Sequence, residues 1–257
     1  MREHNVDIAT RDGLMACFVV HPDEDAPLPV VVMYMDAFGM REELRDMARR
    51  FASVGYYVML PGLFYREGGL SFDPALVVGD NYDPRMLALN AALTMDMTVS
   101  DTAALLEFAA GDAAAAASSA ATVGYCMGGR HALAAAAAYP QQIYAMASLH
   151  GGQLVTQSLD SPHRRIEQLQ CEAYFGWADK DPVAPDEHRL GVAEALAARG
   201  VAHRVEHHAG AQHGFTFPGR RAYHKNAAEQ VWARLFAMFR RSLARPAIGS
   251  PHRLAFS

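Results

Sequence analysis

Ala121-Thr-Val-Gly-Tyr-Cys-Met-Gly-Gly129 is the stretch that decides the fold. Ala121, Thr122 and Val123 read as the end of a buried strand. Gly124 to Gly128 then form a G-x-C-x-G turn, and an apolar, Ala-rich helical run starts near Gly129. Strand, glycine-flanked turn and helix are the context of a nucleophile elbow, here with cysteine where serine is usual. The glycines are needed because the chain beside a strained nucleophile passes too close to other backbone for a side chain. Such a turn places the sulfur at a helix N-terminus, where free N–H groups favour thiolate over thiol. Taken alone, the pattern also describes a buried cysteine in an ordinary strand-to-helix turn.

The whole chain narrows that choice. Its 257 residues suit one α/β domain, residues 1–245, with a loose tail at 246–257. Half the residues are hydrophobic (51%), enough for a large core. A net charge of −5 with a pI near 6.2, and no basic run, argues against nucleic acid as a partner. The longest apolar runs are too short to span a membrane, and the polar N-terminus does not read as a signal peptide. Three widely spaced cysteines, Cys17, Cys126 and Cys171, fit free thiols and a cytoplasmic location. The chain is expected to need no cofactor or metal and to be a monomer or weak homodimer.

Working outward from the elbow, strands and helices alternate. An Asp-Gly signal at residues 11–13 joins two N-terminal strands as a hairpin. The apolar run at 30–35 reads as a strand covered on both faces. Residues 42–54 and 84–110 read as helices, the second with a break near 98–101 capped by Ser100 or Asp101. Between them, 61–83 is a long Gly/Pro/Tyr-rich loop, the kind that is commonly functional. The Ala-rich 111–120 segment reads as a helix end or surface loop. Strands are expected at 143–149, 171–175 and 203–207, and helices at 130–139, 185–199 and 223–243. This order predicts a mostly parallel sheet with helices on both faces and an antiparallel N-terminal hairpin.

Reactive groups in such sheets collect beyond the C-terminal ends of the strands. Three loops there carry the right residues: Cys126 on the elbow, Asp179 and Asp181 after one later strand, and His213 after the last. The order nucleophile, acid, histidine is that of α/β-hydrolases. In the triad template, His213 takes the thiol proton and an aspartate holds the imidazole in one tautomer. The backbone N–H groups of Met127 and Ala37 would form the oxyanion hole.

Gly124-Tyr-Cys-Met-Gly-Gly129, Asp181-Pro-Val-Ala-Pro185 and Gly210-Ala-Gln-His-Gly-Phe215 resemble the dienelactone hydrolase (carboxymethylenebutenolidase) family over nearly the whole chain. The resemblance implies an α/β-hydrolase that cleaves a small ester or lactone through a thioester on Cys126. The family's acid precedes a proline in D-x-x-x-P, which selects Asp181 over Asp179. A family carboxylate that helps activate the thiol corresponds to Asp36. The family's carboxylate-binding arginine after the catalytic histidine corresponds to Phe217, which cannot make that contact. Arg66, Arg85 or Arg41 is left to hold a substrate carboxylate, and Phe64, Tyr65, Phe72 and Tyr82 of the long loop to wall a pocket. Alternatives with the same fold are a general carboxylesterase or acyltransferase acting on uncharged substrates, a ligand-binding scaffold without turnover, and a redox-sensing Cys126. His203, His207 and His208 lack a carboxylate or cysteine spaced to complete a metal site.

Overall fold

The structure is a computed structural model, and residues 1–77 and 81–243 are described. The expected tail therefore lies outside the described residues. A single sheet of eight strands has the order β1-β2-β4-β3-β5-β6-β7-β8. β1 (Arg2–Thr10) and β2 (Gly13–His21) form the antiparallel hairpin. β3 (Leu28–Tyr34), β4 (Tyr57–Pro61), β5 (Ala115–Tyr125), β6 (Ile143–Leu149), β7 (Glu172–Lys180) and β8 (His203–Gln212) run parallel. Residues 30–35 are fully buried, as a two-sided strand requires.

Helices cover both faces. α1 (Glu42–Ala52) and α6 (Lys225–Leu243) meet through Phe51, Trp232 and Phe239, with the Phe51 and Trp232 ring centres 4.7 Å apart. α3 (Met95–Gly111) packs on α4 (Met127–Ala138), and α4 is buried along almost its whole length. Alanines make that possible, because they let the helix lie close to the sheet. α5 (Asp186–Arg199) ends at Gly200 in the left-handed region, the expected C-cap.

Three boundaries differ from the sequence expectation. The Ala-rich segment before the elbow is strand, since β5 begins at Ala115. Alanine favours helix, but pairing with Leu28 and Pro29 of β3 overrides the preference. The helical break falls at Leu93–Thr94 rather than near 98–101. α2 (Pro84–Ala92) ends there, and Thr94 Oγ1 caps α3 by accepting from the Met97 N–H at 3.2 Å. Asp101 is instead buried within α3, where Tyr65 and Arg66 satisfy its carboxylate. Finally, β7 continues to Lys180 and β8 to Gln212, which brings Asp181 and His213 directly to the strand ends.

Candidate active site

The register of the parallel strands sets the site. Tyr34 pairs with Gly124 and Tyr125 with Leu149, so the ends of β3, β5 and β6 lie level. Cys126 follows β5 with φ 53° and ψ −116°, a backbone region that L-residues rarely occupy. Three hydrogen bonds hold it there. The Cys126 N–H donates to Leu149 O at 3.0 Å, and the Cys126 carbonyl accepts from Gly129 at 3.1 Å and Gly152 at 3.2 Å. The flanking glycines are sterically obligatory. A Cβ on Gly124 would stand 1.9 Å from the Gly128 carbonyl oxygen, and one on Gly128 would stand 2.4 Å from Tyr34 O. Met127 is the first residue of α4, so its N–H has no partner within the helix. Ala37, after β3, is buried beside Asp36.

His213 interacts with Cys126 on one side. On the other, its Nδ1 lies 2.7 Å from Asp181 Oδ2. Asp181 is buried, and its second oxygen accepts from the Val183 and Ala184 N–H groups at 2.9 and 3.0 Å. Asp179 faces elsewhere: it accepts from the Gly210 N–H and lies 3.1 Å from His207 Nε2. Burial disfavours charge on both His213 and Cys126, but their mutual attraction outweighs it. The His213 pKa is pushed up to about 10, with the Asp181 hydrogen bond adding to the effect of the thiolate. The Cys126 thiol is held below its ordinary value by the His213 cation, assisted weakly by Arg220.

Asp36, expected as the thiol-activating carboxylate, is fully buried and bonded to two arginines. Oδ1 accepts from Arg41 at 2.7 Å and from the Phe38 N–H at 3.1 Å, and Oδ2 accepts from Arg41 and Arg220. The charge of Asp36 opposes the Cys126 thiolate. Arg220 also stacks on Phe217, 4.1 Å from the ring centre, and on Phe38 at 4.5 Å. Phe217 is buried against Tyr125 and His150, so it is a platform for Arg220 rather than an open contact.

Arg66 and Arg85, expected as carboxylate holders, are not brought into this cluster. Arg66 pairs with Asp12 and Asp101, tying the N-terminal hairpin to α3. Arg85 is exposed and paired with Asp83. Tyr65 follows Arg66, binding Thr10 and Asp101, while Phe38 packs near Tyr82. His207 faces Asp179, whereas His208 is 3.2 Å from the Tyr174 hydroxyl on the opposite side of the strand.

Two residues of this region carried no sequence signal. Arg220 lies 184 residues from Asp36 along the chain. His150, after β6, sits at φ 38° with its ring edge-on to His213, centres 5.1 Å apart, and bonds Thr216 through Nε2 at 2.8 Å. Burial, together with the His213 and Arg220 charges, keeps it neutral.

A mixed eight-stranded sheet with a strained elbow after its fifth strand and a histidine after its last defines an α/β-hydrolase. Comparison with known proteins then places the chain more narrowly. Residues 15–243 match the model of the dienelactone hydrolase family. The chain is 29% identical over 237 residues to a protein of Escherichia coli (strain K12) that bears the provisional name carboxymethylenebutenolidase, covering 89% of this chain and 83% of that one. A similarly named protein of Synechocystis sp. is 25% identical, covering 93% and 96%. A crystal structure provisionally named as a dienelactone hydrolase, from Klebsiella pneumoniae, superposes with a TM-score of 0.83 at 26% identity, covering 93% and 98%. The chain belongs to the dienelactone hydrolase family and is a hydrolase of the carboxylic ester class.

Proposed function

We propose that the protein hydrolyses small esters or lactones through a thioester on Cys126, with His213 as acid–base and Asp181 as the residue that orients it. The observation that carries this reading is the continuous contact chain from Cys126 to His213 to Asp181, built on the strained elbow. In the resting site the thiol proton resides on His213. The Cys126 thiolate attacks the substrate carbonyl carbon, a C–S bond forms, and the carbonyl oxygen takes the negative charge. The Met127 and Ala37 N–H groups are the donors proposed to hold that oxyanion. As the ester C–O bond breaks, His213 gives its proton to the leaving alkoxide. With a lactone the alcohol stays attached to the acyl group, so the final product is a hydroxy acid. Water then attacks the thioester while His213 takes its proton, the C–S bond breaks, and the carboxylic acid leaves with the thiolate–imidazolium pair restored. No step calls for a cofactor.

The reading is tested by acid-quenching the protein during turnover of p-nitrophenyl acetate and mapping adducts by mass spectrometry. An acetyl group on the Cys126 peptide supports it. Turnover with an acetyl group on another side chain overturns it, and no turnover at all favours the binding scaffold.

A further inference from the structure

Among the described residues other than glycine, only Cys126, His150 and Gln153 have a positive φ, and all three lie at the elbow or on the loop after β6. His150, at φ 38°, is anchored on both sides of this strain. Its own N–H donates to Gly176 O of β7 at 2.7 Å, and the carbonyl of the preceding residue, Leu149, accepts from the Cys126 N–H at 3.0 Å. A backbone so strained persists only where its surroundings over-determine it, and such residues gather at functional sites. Here the strain fixes the direction of one side chain.

That side chain is fully buried and faces the segment that follows β8. Its ring centre lies 5.1 Å from that of His213, 5.5 Å from Phe215 and 5.3 Å from Phe217, and Nε2 is hydrogen-bonded to Thr216 Oγ1 at 2.8 Å. One imidazole therefore supports His213 and three of the four residues after it. Packing alone does not account for histidine at this place. A phenylalanine or leucine would fill the space without the cost of burying a polar ring, and Nδ1 is hydrogen-bonded to no other described residue. What the imidazole adds is the bond to Thr216, which pins the loop beyond His213 to the end of β6. The charges that reach the ring are those of His213 and Arg220, which both oppose a proton on it, so a neutral ring lies against His213.

We propose that His150 is a positioning residue: through its ring and through Thr216 it holds the His213 imidazole in the orientation that faces Cys126 and Asp181 together. The proposal rests on those three residues acting as the triad. His150 exchanges no proton with the substrate and acts only through His213. Without it, the Asp181 bond at 2.7 Å is left to orient the imidazole, and the ring can swing about that bond away from the sulfur.

The test follows alkylation of Cys126 by iodoacetamide against pH, together with kcat and KM for p-nitrophenyl acetate. In alkylation the thiolate forms a C–S bond and iodide leaves, so the inflection reports the charge state of the sulfur rather than access to it. His150→Ala should move the inflection upward, in the direction of His213→Ala. It should also lower kcat about 10- to 100-fold, the cost of a misplaced catalytic group, with KM within about threefold. His150→Gln, whose amide can still reach Thr216, should keep the wild-type inflection and a kcat within about threefold. A folded His150→Ala that loses kcat without moving the inflection shows a merely structural role and overturns the proposal. Unchanged kcat, or equal losses in His150→Ala and His150→Gln, also overturn it. Should His150→Ala fail to fold, Thr216→Val cuts the hydrogen bond alone. The inflection should again move upward, and an unmoved one overturns the proposal. An inflection that His213→Ala itself leaves in place overturns the triad reading, and the proposal with it.

Discussion

Asp181 Oδ2 lies 2.7 Å from His213 Nδ1, while the other Asp181 oxygen is fixed by two backbone N–H groups. That arrangement makes Asp181→Asn informative. The amide oxygen would stay on the Val183 and Ala184 N–H groups, which turns the NH2 toward His213 and forces Nδ1 to accept. The proton then sits on Nε2, the wrong tautomer for receiving one from Cys126. We expect kcat/KM for a small ester to fall by about 10²- to 10⁴-fold, and Asp179→Asn to stay within about threefold, as for an ordinary surface residue. Steady-state kinetics of the two variants checks this, and comparable losses would mean the carboxylates share the role.

The proposed ion pair between Cys126 and His213 has a pH signature. The thiol is held below its ordinary value of 9.0, so the iodoacetamide rate should rise with pH through an inflection below 9.0. In His213→Ala burial acts without its main opponent, and the inflection should move above 9.0. Ester turnover in the wild type should fall on the acid side, as the thiolate is protonated, and again above about 10, as His213 loses its proton. An alkylation inflection that does not respond to His213→Ala would contradict the pairing.

Asp36 neutralises two arginines that are themselves largely buried. Removing one partner of such a cluster leaves charge uncompensated, so Asp36→Ala should cost about 3–5 kcal/mol of stability. Chemical denaturation with a two-state fit measures it. A cost under 1 kcal/mol would show that Arg41 and Arg220 relax to solvent.

The elbow has no room for a methyl group at Gly128. Gly128→Ala should destabilise by about 3 kcal/mol, roughly 6–12 °C in Tm for a chain of this size, because its Cβ would meet rigid backbone. Gly69→Ala is the contrast in available space, since its Cβ would meet nothing within 4 Å, although its φ of 70° adds a cost of about 1 kcal/mol. Differential scanning calorimetry of the two variants compares them.

Much of this architecture is legible in the sequence wherever a local pattern has a single physical cause. The Gly-x-Cys-x-Gly turn follows from backbone crowding, the hairpin from Asp12-Gly13, and the α5 terminus from Gly200. Features set by distant partners are not legible. The strand at 115–120 is alanine and serine, which have no strand preference of their own, and it is recruited by β3. The pairing of Asp36 with Arg220, which arrives from near the far end of the chain, is one such feature. Scanning at the family's fixed distance from His213 finds Phe217, yet the cation over its ring comes from Arg220, three residues further on.

Every covalent step of the proposed reaction runs through Cys126. The direct measurement is hydrolysis of a small activated ester by the wild type and by Cys126→Ala, with circular dichroism to establish that both are folded. We predict a loss on the order of 10⁴-fold or more in the variant with an unchanged fold. A folded Cys126→Ala protein that keeps turnover within tenfold of the wild type would contradict the assignment.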